Sequence, residues 1–167
     1  LTQTKVELEF WISADKVSTK QLDALLSKYL WPGLTRPELD ARLVNGMLKG
    51  FIDLSFMQNG QYYVADYKSN FLASGRYTDN ELIEVMLAKR YDLQAACYGL
   101  AMHRLLKSRK ADYQPALHLG PAVYWFLRGS AKANHGVLRV DLPIALISAL
   151  DDMFKGIAVV PQQVEAI

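Results

Sequence analysis

Two strand-like runs, MLKGFIDLSFM over 47–57 and YYVADYKS over 62–69, flank the tetrapeptide Gln58-Asn59-Gly60-Gln61. An Asn-Gly pair accepts positive φ at both central positions of a type I′ turn, the turn whose twist matches that of two antiparallel strands. A two-residue turn at Asn59-Gly60 makes Gln58 face Gln61, and this register then sets Asp53 across from Asp66 and Phe51 across from Lys68. Side chains alternate faces along a strand. The pattern therefore predicts Asp53, Asp66 and Lys68 together on one face. Ile52, Leu54, Phe56, Tyr63 and Ala65 fall on the other, which reads as the core face.

Like charges directly opposite one another destabilise a sheet. Something must offset the Asp53/Asp66 repulsion: a shared proton, the Lys68 ammonium, or a divalent cation. Mg²⁺ is a hard ion that takes oxygen ligands at about 2.0–2.1 Å, often one or two carboxylates completed by water and phosphate. Two facing carboxylates beside an ammonium suit phosphodiester cleavage, with a metal to polarise the phosphate and acidify a water, and a lysine to stabilise developing charge or position that water. The plainer reading is a solvated sheet face on which Lys68 is a salt-bridge partner. A bulge would separate the three groups.

The rest of the chain reads as one α/β domain, a mixed sheet flanked by helices. Residues 5–12 alternate as a half-buried strand, with Val6, Leu8, Phe10 and Ile12 on one side and Lys5, Glu7, Glu9 and Trp11 on the other. Residues 18–30 place Leu22, Leu25, Leu26, Tyr29 and Leu30 at helical spacing behind a Ser18 or Thr19 cap. The span 31–45, with Pro32, Gly33 and Pro37, reads as a surface loop. Helices are expected over 79–90 and 91–109, a buried strand over 122–128, a short edge strand over 137–142, and an amphipathic helix over 143–155 opening on Pro143. In 167 residues, 51% hydrophobic and 22% charged, there is material for a real core and no signature of disorder. A net charge of +2 permits a nucleic-acid partner without arguing for one. A single cysteine, Cys97, excludes a disulfide framework and points to a reducing, cytoplasmic setting. No apolar run is long enough to span a bilayer, and the opening LTQTKVELEF lacks the pattern of a signal peptide. The start, without Met and already strand-like, suggests a piece of a longer protein.

Several other residues qualify for the same chemistry. Gln94 and Tyr98 share a helix face at i, i+4 and can hydrogen-bond phosphates or bases; the plainer alternatives are a surface pair or a core tyrosine with a satisfied hydroxyl. Glu7 and Glu9 share a strand face, and either could add a carboxylate. His103, His118 and His135 lack metal-ligand spacing. Arg104, Lys107, Arg109 and Lys110 crowd a helix end, where they suit either the helix dipole or a phosphate backbone.

GMLKGFIDLSF followed by YYVADYKSN resembles the signature of the PD-(D/E)XK nucleases in its RecB-family form, and RYDLQAACYGLAMHRLL resembles that family's Q-x-x-x-Y helix. VYWFLRG resembles the buried strand that follows it, so the likeness runs from about residue 4 to about residue 157. It implies a restriction-endonuclease-like core and a Mg²⁺-dependent deoxyribonuclease, with Mn²⁺ able to substitute. Asp53 and Asp66 match the metal-binding aspartates, the Tyr67 carbonyl a further metal ligand, and Lys68 the catalytic lysine. Gln94 and Tyr98 match the pair that supports the site and contacts DNA; Glu7 matches an acidic position on the first strand, with Glu9 as the alternative. The family also carries a metal-binding histidine on a helix upstream of that strand, which this sequence lacks. The resemblance implies DNA as substrate, RecC and RecD as partner subunits, and RecA as a docked recombinase. A competing expectation is a docking module with little cleavage, for which an exposed apolar face on 144–154 would argue. A bare scaffold without an active site is the third reading.

Overall fold

The computed structural model describes residues 4–131 and 135–156. Strand β1 (Thr4–Ser18) leads into helix α1 (Thr19–Tyr29), and a loop returns the chain to β2 (Leu43–Gln58), which turns tightly into β3 (Gln61–Lys68). Helices α2 (Asp79–Ala88), α3 (Tyr91–Arg109) and the single turn α4 (Pro115–His118) precede β4 (Leu119–Phe126). After a 3₁₀ turn come β5 (Val137–Val140) and α5 (Ile144–Phe154). The five strands lie in chain order, β1-β2-β3-β4-β5, and every neighbouring pair is antiparallel except β3–β4. A parallel pair needs a crossover. Here α2 and α3 make it, which sets α3 over the point where β2 and β3 part.

The expected α/β architecture is present, with differences that have local causes. Ser18 caps α1 by accepting the Gln21 N–H at 3.4 Å. β1 runs past residue 12 to Ser18, because β2 begins at Leu43 and pairs with its far end; residues 43–45, expected in the loop, are strand. Pro143 stands one residue outside α5, as its cap. Leu146, Ile147, Leu150, Met153 and Phe154 of that helix are buried in the core, so the apolar face considered for docking is already used. At Gly99 of α3 there is no room for a side chain: a Cβ there would lie 2.5 Å from Leu142 Cδ1 and 2.9 Å from Ile147 Cδ1 of α5.

Helices α1, α3 and α5 pack on one another and on one face of the sheet, around Ile12, Leu26, Ile52, Tyr124 and Leu150. The opposite face shows solvent the rings of Trp11, Phe51, Tyr67 and Trp125. The strand alternation predicted from sequence breaks at one level of the sheet. Glu7 has a left-handed φ of 51°, which L-residues rarely adopt in strands. Beyond it Leu8, Phe10 and Ile12 turn toward the helices, but Val6 is 67% exposed. β2 resets at the same level: Ile52 is buried, and so is Ser55 three residues on, facing Val64. The predicted core face of the hairpin is thereby corrected. Leu54, Phe56 and Tyr63 are only half-buried, whereas Asp66 and Lys68 lie on the side that α3 covers.

Candidate active site

Asn59 and Gly60 take φ of 51° and 81°, as a type I′ turn requires, and the ladder follows the predicted register from Gln58↔Gln61 to Leu54↔Ala65. There it stops, one step short of the expected Asp53–Asp66 pair. β3 moves on to pair in parallel with β4, Asp66 against Tyr124 and Lys68 against Phe126. Two strands that part expose backbone groups that must be satisfied otherwise. Side chains do it here. Asp53 Oδ2 accepts the Tyr67 N–H at 3.0 Å, and the Tyr98 hydroxyl, reaching down from α3, lies 2.8 Å from the Phe51 carbonyl.

That hydroxyl organises the site. It accepts from Gln94 Nε2 at 2.9 Å and lies 3.0 Å from Asp66 Oδ1. It has one proton to give. An ionised Asp66 takes it in a charge-assisted bond; a protonated Asp66 donates to the hydroxyl, which then turns its own proton to Phe51. Gln94 is held by both ends: its Oε1 accepts from Lys68 Nζ at 2.9 Å and from the Tyr124 hydroxyl at 3.2 Å. The helical spacing of Gln94 and Tyr98 thus serves to grip the lysine and the aspartate from above.

Asp66 is 4% exposed. Burial pushes its carboxyl above the usual range; Lys68 pulls it down, Asp53 nearby pushes it up, and the Tyr98 hydrogen bond pulls it down again. Tyr98 is pushed well above the ordinary phenol range by burial and then by the Asp66 charge. Asp66 Oδ2 stands 2.6 Å from Lys68 Nζ in an ion pair that favours the charged form of Asp66. A buried carboxylate paired with a single ammonium and one hydroxyl keeps lone pairs to spare. Beside Asp53, such a carboxylate fits a hard divalent cation.

The structure therefore brings Asp53, Asp66, Lys68, Gln94 and Tyr98 together. Tyr67 joins through its main chain, while its ring lies on the open face 5.9 Å from that of Trp125. Glu7 sits between the pairs Val6↔Leu54 and Leu8↔Ile52, level with Asp53, and is exposed. Among the described residues no three His, Cys, Asp or Glu side chains gather as a ligand set. Glu9 is engaged elsewhere, by Trp11 Nε1 at 2.7 Å and Lys49 Nζ at 3.2 Å. The histidines lie apart from the site: His103 Nδ1 is 3.0 Å from the Tyr113 hydroxyl, His118 Nδ1 accepts the Gln114 N–H, and His135 contacts the Arg76 carbonyl. Arg104 and Lys107 turn to Asp151, and Lys110 to Asp112.

Sequence reasoning missed the support beneath α3. Asp92, wholly buried, pairs with Arg36 at 2.7 Å and Arg90 at 3.1 Å, and Arg90 also reaches Asp23 at 2.7 Å. An aspartate between Tyr91 and Leu93, two residues before Gln94, was the available signal. Tyr124, buried in the core, and Tyr91, half-buried at the start of α3, border the lysine and gave no such signal.

Residues 4–164 match the PD-(D/E)XK nuclease superfamily, and the chain belongs to it. Among curated proteins it is similar to the RecBCD enzyme subunit RecB of Escherichia coli K12, 41% identical over 157 residues that cover 91% of this chain. The Haemophilus influenzae RecB is 40% identical over 124 residues and 72% of the chain, and that of Mycobacterium tuberculosis H37Rv 40% over 121 residues and 66%. The matches span only 13%, 10% and 11% of those relatives, so the chain corresponds to a small part of each.

Proposed function

We propose that this chain is the DNA-cutting domain of a RecBCD-type helicase-nuclease, an exodeoxyribonuclease V, that hydrolyses DNA phosphodiesters with Mg²⁺, or Mn²⁺ in its place, during recombinational repair of double-strand breaks. The observation that carries the reading is the buried Asp66 carboxylate, ion-paired with Lys68 and beside Asp53 at the fork of β2 and β3. Asp53, Asp66 and the Tyr67 carbonyl are the groups that would hold the cation, with Glu7 near enough in register to contribute. The cation, when bound, polarises the scissile phosphate and acidifies a water. Lys68 places a fixed positive charge where the phosphorane charge develops. Gln94 orients that ammonium, and Tyr98 fixes the Asp66 carboxylate. In the hydrolysis the water oxygen bonds to phosphorus, one phosphorus–oxygen ester bond breaks, and the departing alkoxide gains a proton. Similarity to subunits of the RecBCD enzyme supports RecC and RecD as partners, and RecA is proposed as a further one.

The metal requirement is tested on linear DNA with the protein that carries this chain. Degradation in Mg²⁺ that EDTA abolishes and Mn²⁺ restores is the expected result. Undiminished degradation in EDTA would refute the reading.

A further inference from the structure

The Lys68 ammonium, its side chain only 12% exposed, has few partners. Gln94 Oε1 accepts one N–H at 2.9 Å, and Asp66 Oδ2 supplies charge at 2.6 Å. Its other close neighbour is not a lone pair. The nitrogen lies 3.9 Å from the centre of the Tyr91 ring and 5.5 Å from that of Tyr124, two rings within 15° of parallel. An ammonium over an aromatic face is attracted by the ring quadrupole, most strongly where water is excluded.

We propose that Tyr91 is a positioning residue for Lys68: its ring face holds the ammonium in place when Asp66 is drawn to a cation. The proposal rests on the nuclease reading of this site. A cation on the Asp66 carboxylate weakens its pull on Lys68, leaving the Gln94 hydrogen bond and the π-face. A ring face attracts the charge without accepting a directed proton as strongly as oxygen does, so the N–H groups stay available to a phosphate. Tyr91 is itself fixed from three sides. It opens α3 next to the buried Asp92, which Arg36 and Arg90 clamp. Its main-chain carbonyl lies 3.2 Å from the Tyr124 hydroxyl. Its own hydroxyl reaches Asn70 Oδ1 at 3.4 Å, on the segment following β3.

That last contact offers a purely structural role, and the experiment separates the two. In the protein that carries this chain, Tyr91→Phe keeps the ring and loses the Asn70 contact, whereas Tyr91→Leu keeps bulk and loses the π-face. The expected result is kcat on linear DNA near the parent value for Tyr91→Phe and roughly tenfold lower for Tyr91→Leu, with KM and the Mg²⁺ midpoint unchanged. Equal impairment of the two variants, or none in either, overturns the proposal. Should Tyr91→Leu fail to fold, phenylalanines of increasing fluorination at position 91 keep the shape and weaken the quadrupole. A stepwise fall of kcat along that series supports the proposal, and a flat series refutes it. Asp66→Asn is run alongside. If that variant cuts normally, the nuclease assignment of the site fails; if it is inactive while kcat ignores the ring, only the role of Tyr91 fails.

Discussion

Removing the Tyr98 hydroxyl probes the site at its most connected atom. Tyr98→Phe preserves the ring, which meets Phe10 edge-on at 5.8 Å, and deletes an oxygen in contact with Gln94, Asp66 and the Phe51 carbonyl. Asp66 Oδ2 faces Lys68 Nζ at 2.6 Å, so the change strips Oδ1 of its donor and leaves the ammonium as partner of a buried carboxylate. Stranding a buried polar group costs about 1–3 kcal/mol, more when it is charged. In a domain of this size each kcal/mol moves Tm by roughly 2–4 °C, so a loss of about 2 kcal/mol lowers it by about 4–8 °C. The hydroxyl favours the ionised form of Asp66 and therefore pulls its pKa down, against the rise caused by burial. The loss at Gln94 Nε2 and the Phe51 carbonyl varies little with pH, and the pH-dependent part of the penalty falls on the carboxylate. It is fully expressed above the raised pKa of Asp66 and fades as the pH drops through it and the group takes a proton. Tm in EDTA, parent against variant across a pH series, measures this. The difference should widen toward alkaline pH, and the Mg²⁺ needed for half-maximal cleavage should rise by about 10–100-fold, as when groups that orient metal ligands are lost. A difference in Tm that is absent, or that grows toward acid pH, would refute the account of how Asp66 is held.

Two further outcomes follow from the same contacts. Lys68→Ala should lower turnover on linear DNA by much more than it shifts the Mg²⁺ midpoint, because the ammonium is proposed to act on the phosphate and only to neighbour the cation; equal shifts in both would assign it to metal binding. Asp92→Ala leaves the buried Arg36 without its carboxylate and Arg90 with Asp23 alone, and should cost about 3–5 kcal/mol, read as a large fall in Tm, with cleavage by the folded fraction reduced because Tyr91 and Gln94 shift; a Tm like the parent's would mean the network does not anchor the helix.

The register of the hairpin was legible because Asn59-Gly60 specifies its turn, and the alternating residues beyond it need only that starting point. Gln94 and Tyr98 were legible because four residues return a helix to the same face. The side of the sheet on which the site lies was not. A pattern of alternation is carried through strictly only if no residue breaks it, and Glu7, a β-compatible residue in sequence, takes a left-handed conformation in the fold. The end of the β2–β3 ladder is likewise set from outside the hairpin, by the parallel pairing of β3 with β4 and by α3 lying above. Asp66 therefore changed from an expected surface charge into a buried one. The clamp on Asp92 joins residues 56 positions apart, Arg36 and Asp92; no local pattern announces a partner at that distance. Tyr124 lies in the run expected as a buried strand and Tyr91 at the start of an expected helix, and their use beside the lysine depends on where the Lys68 ammonium comes to rest.

Degradation of linear single-stranded DNA in Mg²⁺ by the protein that carries this chain, beside the same protein with Asp66→Asn, tests most directly whether the fork of β2 and β3 is where DNA is cut. The account predicts cleavage by the parent and none above background by a folded Asp66→Asn protein. Cleavage by that folded variant at the parent rate would contradict it.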